Sequence, residues 1–134
     1  MIILDTHTWI WWESEDPTAT TASQQDAIRR ELRPGGEVGI SAITCWEIAM
    51  LVEGQRLDLH GRDALSWLRT SLTYPNVQLI PITPEIAVRA YTLPEPFHRD
   101  PADRILVATA LEYSCPLVTS DGRILDYPHV TTIG

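Results

Sequence analysis

The sequence predicts an α/β fold in which a mostly parallel sheet is covered by helices on both faces. Two observations carry that expectation. Short continuous apolar runs such as Ile2-Ile3-Leu4, Val38-Gly39-Ile40 and Cys115-Pro116-Leu117-Val118 suit strands buried on both sides. These runs alternate with longer segments of helical spacing instead of with hairpin turns. The 134 residues, 44% of them apolar, are enough for one domain, residues 1–134, with a core that needs no staples.

Taken in order, Ile2–Leu4 forms the first strand and stops at Asp5. The Trp9-Ile10-Trp11-Trp12 segment gives a short helix expected to end before Pro17. At least one of these tryptophans belongs in the core, and the others are available to an interface. Thr20–Leu32 has helical spacing, with Arg29, Arg30 and Arg33 at the negative end of the helix. Pro34-Gly35-Gly36 turns the chain into the second strand, Val38–Ser41, and an apolar helix over Ala42–Val52 follows. A further helix is expected over Leu57–Thr70, a third strand over Val77–Ile82 and a helix opening at Thr83-Pro84. After the loop Leu93–Pro96 comes the helix Pro101–Tyr113, with Asp100 as its N-cap and Asp103 three residues on in capping-box register. Cys115–Thr119 is the fourth strand, Arg123–Asp126 a helical turn and His129–Ile133 an edge strand.

Composition narrows the chemistry. Cys45 and Cys115 lie in apolar stretches outside any metal-ligand spacing, so both are expected as buried thiols. The apolar start meets Asp5 too soon for a signal peptide or a membrane span, so a cytoplasmic protein is expected. A net charge of −8 argues at first sight against a nucleic-acid partner. However, the ten basic residues are all arginine, whose planar fork grips phosphate in bidentate fashion. A divalent cation among grouped carboxylates also inverts the local sign of the field.

Ligands of open α/β sheets bind beyond the carboxyl ends of the strands. Asp5 and Asp121 follow the first and fourth strands, Asp100 and Asp103 open the helix before the fourth, and Glu47 lies early in the helix after the second. Each has an ordinary structural account: Asp5 as a cap, Asp121-Gly122 as a turn, Thr44–Glu47 as a capping box. Their joint placement at one rim points further. Two carboxylates ~5 Å apart repel by roughly 3 kcal/mol at an effective dielectric of 20, so such a group needs a cation to stay ionised. Oxygen donors of this kind favour Mg²⁺ or Mn²⁺ over zinc, which suggests metal-dependent hydrolysis or phosphoryl transfer.

The chain resembles the PIN-domain ribonucleases, and among them the VapC-like toxins of type II toxin–antitoxin pairs. The matching pieces are Leu4–Thr8, Ile40–Ile48, His98–Ala110 and Val118–Asp121, in the family's order and spacing. The resemblance implies a three-layer α/β/α fold and a Mg²⁺- or Mn²⁺-dependent endoribonuclease. It also implies a homodimer and a VapB-like antitoxin whose tail covers the active site. It makes Asp5, Glu47, Asp103 and Asp121 the acidic quartet and Asp100 an extra carboxylate. Asp5, Glu47 and Asp103, with Asp100, would hold the metal, whereas Asp121 would act from further out. Thr6 and Ser120 would orient carboxylates or water. Arg104 would be a phosphate contact or a structural ion pair, and His98 a surface histidine or a proton shuttle.

Receiver domains and haloacid-dehalogenase-type phosphatases also gather aspartates at strand ends, but both rely on a lysine that this chain does not contain. The remaining alternative is a catalytically silent PIN-like module that binds a protein or RNA without cutting it.

Overall fold

The computed structural model describes residues 1–14, 16 and 18–134. Five strands, β1 (Ile2–Leu4), β2 (Val38–Ser41), β3 (Val77–Ile80), β4 (Leu117–Val118) and β5 (Thr132–Ile133), form one sheet in the order β3-β2-β1-β4-β5. Every pairing in it is parallel. β1 is central, with Leu4 beside Ile40 of β2 and Val118 of β4. The chain leaves β1 towards β2 on one side and later returns to β4 on the other, so the strand order reverses at β1. That crevice is where such sheets bind ligands.

Alternation along β1 divides the core between the two faces. Ile2 and Leu4 pack with Trp9, Ile28, Ile40, Ile48 and Leu68 on one face. Ile3 packs with Ile80, Ile86, Leu106, Leu117 and Ile124 on the other. The helices α1 (Thr6–Glu13), α2 (Ala22–Glu31), α3 (Ala42–Glu53) and α4 (Ala64–Ser71) supply the first layer. The second comes from α5 (Pro84–Tyr91), α6 (Pro101–Glu112) and α7 (Gly122–Leu125). Gly39 sits where a Cβ would stand 2.6 Å from Ile3 Cδ1 and 2.9 Å from Ile80 Cδ1, so any larger residue there would push those side chains aside.

The elements arise as expected in most places. Pro84 and Pro101 occupy first helical positions, and Thr21 closes a reciprocal capping box with Gln24. α1 begins at Thr6, earlier than the tryptophans suggested, because Asp5 caps it through the Thr8 amide at 2.8 Å. Glu15 and Pro17, where a helix stop was expected, lie outside the described residues. Trp9 is fully buried, whereas Trp11 and Trp12 are half-buried.

Three expectations fail. No helix runs through 57–63. His60 and Gly61 take positive φ of 56° and 76°, which a right-handed helix cannot continue through. Asp63 then caps a later start, accepting from the Ser66 amide at 2.9 Å. The cap of α3 is Ser41, not Thr44, which frees Glu47 in the second turn for another purpose. The two cysteines are free but only partly buried.

Candidate active site

At the carboxyl rim of β1, β2 and β4 a pocket of about 290 Å³ is lined by Asp5, Glu47, Asp100, Asp103 and Asp121, with Thr6, Ser120 and Arg123. The elements explain the convergence. Asp5 is both the residue after β1 and the cap of α1, and Glu47 projects from α3 after β2. Asp100 and Asp103 open α6, which packs against β1 and β4, and Asp121 caps α7 just beyond β4. The sequence-distant acids thus meet because the parallel topology stacks their strand ends.

Hydroxyl groups hold the inner carboxylates. Asp5 is 7% exposed; its Oδ1 serves the α1 cap and its Oδ2 accepts from Thr119 Oγ1 at 2.5 Å. Thr119 Oγ1 in turn accepts from the Asp121 amide at 3.0 Å, which joins the two acids through one buried hydroxyl. Glu47 Oε1 accepts from Thr6 Oγ1 at 2.5 Å, and Thr6 Oγ1 lies 3.1 Å from Thr44 Oγ1. Gln24, fully buried, donates from Nε2 to Thr119 O at 3.2 Å and Ser120 Oγ at 2.8 Å, while its Oε1 accepts from the Thr21 amide.

The charges fall into two groups. Burial pushes the Glu47 carboxyl above its ordinary range; the Thr6 hydrogen bond opposes this, and the Asp103 and Asp100 charges reinforce it. Burial also raises Asp103, against the pull of His98, and Asp100 and Asp121 push it further. At Asp121 burial raises as well, but the hydrogen bonds from Arg123 outweigh it and hold the carboxyl below its ordinary range. Arg123 Nη2 lies 3.2 Å from Asp121 Oδ2 and 3.5 Å from Asp103 Oδ2, so a guanidinium partly balances the cluster.

The donor set fits a hard dication. Its donors are carboxylate and hydroxyl oxygens, and like charges raise the carboxyls of Glu47 (from Asp103 and Asp100) and Asp103 (from Asp100 and Asp121), a repulsion that a cation would neutralise. Among the described residues no three His, Cys, Asp or Glu side chains already form a ready-made cage. Mg²⁺ does not require one, because it binds through one or two carboxylates and keeps much of its water. Asp5, Glu47 and Asp103 are the carboxylates that could hold such a cation, with Asp100, which is exposed and caps α6 through the Ala102 amide at 2.9 Å, at the rim.

Arg104 is not a phosphate contact. It is 5% exposed, and its guanidinium donates to the carbonyls of Ala90, Tyr91, Phe97 and His98 and to Glu95. The residue ties α6 to the end of α5 and to the loop before α6. His98 is not a free surface histidine either, since its Nε2 meets Asp103 Oδ2 at 2.7 Å. Asp103 turns to His98 and Arg123 and makes no capping box with Asp100. Ser120 lines the pocket, but the hydroxyl that holds Asp5 belongs to Thr119. The sequence assigns no site role to Thr119 or Arg123, and it suggests Thr44 only as a helix cap. Asp121-Gly122-Arg123 did carry a signal, because an N-cap acid two residues before an arginine brings the guanidinium back over the carboxylate.

The PIN domain family profile matches residues 2–130. The chain is 35% identical over 128 residues to Ribonuclease VapC22 of Mycobacterium tuberculosis, covering 96% of this chain and 92% of that protein. Its fold is similar to that in the structure of VapBC2 from Rickettsia felis bound to a DNA fragment from their promoter. There the TM-score is 0.72 at 16% identity, with 99% of this chain and 98% of that chain covered. The structure of FitAcB from Neisseria gonorrhoeae is also similar, with a TM-score of 0.66 at 23% identity and coverage of 100% and 97%. Such distant structural likeness shows the shared fold, whereas the sequence match extends over the strand ends that build the acidic pocket. By fold and by sequence, the chain belongs to the PIN domain family, among its VapC-like members.

Proposed function

We propose that this protein is a Mg²⁺- or Mn²⁺-dependent endoribonuclease, the toxin of a type II toxin–antitoxin pair, which hydrolyses RNA phosphodiesters. The observation that carries this reading is the single pocket in which Asp5, Glu47, Asp100, Asp103 and Asp121 meet. It stands in a chain 35% identical to a protein named as a ribonuclease.

The protein's own groups have distinct tasks. Asp5 is immobilised from both sides, by the Thr8 amide and by Thr119, which makes it the most rigid acid of the set. Thr6 fixes Glu47 through Oε1 and leaves Oε2 to take the proton of an attacking water. The raised affinity of Glu47 for a proton suits that role. His98 orients Asp103 through its ring nitrogen. Arg123, at the rim, is the guanidinium placed to meet a phosphodiester oxygen. A bound dication supplies positive charge for the phosphodiester and lowers the pKa of water at the site.

The partner reading includes a VapB-like antitoxin, a homodimer and a cytoplasmic location. The antitoxin part of it draws support from the VapBC assemblies among the structural neighbours. A cleft of about 420 Å³ beside Trp11, Trp12 and Tyr74 offers apolar surface to a partner. No helix among the described residues is long and apolar enough to cross a membrane.

The test is RNA degradation by antitoxin-free protein in Mg²⁺ or Mn²⁺, with chelator and with Asp5→Asn as controls. Cleavage lost in both controls is expected. A folded protein that leaves RNA intact under every metal condition would instead be a silent binding module.

A further inference from the structure

A second cleft of about 430 Å³ adjoins the acidic pocket and shares with it the side chain of Arg123. Its surface is aromatic. The Phe97 and Tyr127 ring centroids are 4.4 Å apart, and Tyr127 and His129 are 5.2 Å apart in edge contact. Pro96 and Pro128 form stiff walls, and Tyr127 is locked by its hydroxyl, which donates to Pro94 O at 2.6 Å. Tyr127, 4% exposed, backs the cleft from the core, whereas Phe97 is half-buried and His129 exposed, so these two rings remain available to an incoming planar group. The wall is continuous with the catalytic pocket: the His98 ring lies 4.3 Å from that of Phe97 while its Nε2 bonds Asp103. None of these aromatic groups has a task in hydrolysis except His98, which orients an acid.

We propose that the Phe97–Tyr127–His129 cleft is a nucleobase subsite, which takes an unstacked base of single-stranded RNA next to the phosphodiester held at Arg123. The inference rests on the ribonuclease reading for the identity of the polymer. Three features of the cleft support it. Aromatic faces accept any base by stacking, which suits a strand whose bases are splayed out and not one paired in a duplex. The exposed guanidinium of Arg123, 61% accessible, stands between the aromatic cleft and the acids, so a base and its neighbouring phosphate have adjoining sites. Asp126 at the cleft edge adds an acceptor for a base amino group.

The test compares binding of three probes by fluorescence anisotropy in chelator: labelled oligoadenylate, its duplex with oligouridylate, and an abasic oligomer of the same length. Wild-type protein should bind oligoadenylate about tenfold or more tightly than either other probe, given the usual worth of one base–aromatic stack. His129→Ala, at an exposed position, and Phe97→Leu, which keeps apolar volume, should shrink that preference while leaving abasic binding unchanged. Arg123→Gln should weaken all probes alike and reduce the salt dependence by about one phosphate contact. Equal binding of oligoadenylate and the abasic oligomer overturns the subsite, as does a preference that survives both aromatic substitutions. The ribonuclease reading fails separately, if wild-type protein cuts no RNA in Mg²⁺ or Mn²⁺, whatever the anisotropy shows.

Discussion

Glu47 combines burial, one hydroxyl partner and two like charges nearby, and its substitution separates catalysis from stability. Glu47→Gln keeps the shape and can still accept from Thr6, but it cannot take a proton. RNA cleavage should fall by about 100-fold or more, the span of general-base effects. Stability should not fall with it. The folded-state pKa of Glu47 is raised, so its contribution is full below the unfolded value and is lost as pH rises through the folded one. In chelator, wild-type protein should therefore be less stable than Glu47→Gln at neutral pH, and the gap should close as the pH falls. Denaturant titrations at several pH values read this directly, and a gap that widens in acid would contradict it. Arg104 behaves in the opposite way. Arg104→Met leaves four carbonyl partners without their donor, and a cost of about 3 kcal/mol or more is expected in the same titration. That residue could be placed on its helix from sequence. The direction of its side chain could not, because an arginine beside a catalytic acid and one bonded to carbonyls have the same local spelling.

At the scale of elements, caps and close approaches set where the acids stand. Ser41 starts α3 and so decides that Glu47 falls in the second turn, one turn from the position a Thr44 cap would give it. Ser41→Ala should cost about 1 kcal/mol, as loss of an N-cap does. Gly39 of β2 lies against the side-chain ends of Ile3 and Ile80. Gly39→Ala should cost about 1–3 kcal/mol by overpacking, with the side-chain methyls giving way before the backbone does. Both are read as shifts of the unfolding midpoint. Strand and helix types were legible from periodicity, since each apolar run or stripe reports its own element. The start of α4 was not. The stripe of Leu65, Trp67, Leu68 and Leu72 suits a helix, but the left-handed backbone at His60 and Gly61 keeps it from reaching back to Leu57.

For the whole molecule, a binding site formed only by the folded chain links metal and stability. Mg²⁺ or Mn²⁺ at about 100 times its dissociation constant should add about 2.7 kcal/mol, seen as a rise in Tm. Substituting Glu47 or Asp103 should remove most of that rise. An unchanged melting curve at saturating metal for RNA cleavage would count against the site. The class of fold and the rim of acids could be inferred because parallel α/β sheets gather strand ends whatever their order. The order β3-β2-β1-β4-β5 itself, and the hydroxyl contacts of Thr44 with Thr6 and of Thr119 with Asp5, depend on residues 38 and 114 positions apart. No local window of sequence holds that information.

The amide of Gln24 joins α2 to the backbone that carries Asp121, and it does so by donating from one end and accepting at the other. Exchange of that nitrogen for oxygen, Gln24→Glu, would set a negative oxygen against the Thr119 carbonyl without altering the size of the side chain. The loop beyond β4 would then be held on one side only. A nuclease could in this way be silenced from behind its catalytic wall, with every acid intact and no partner engaged.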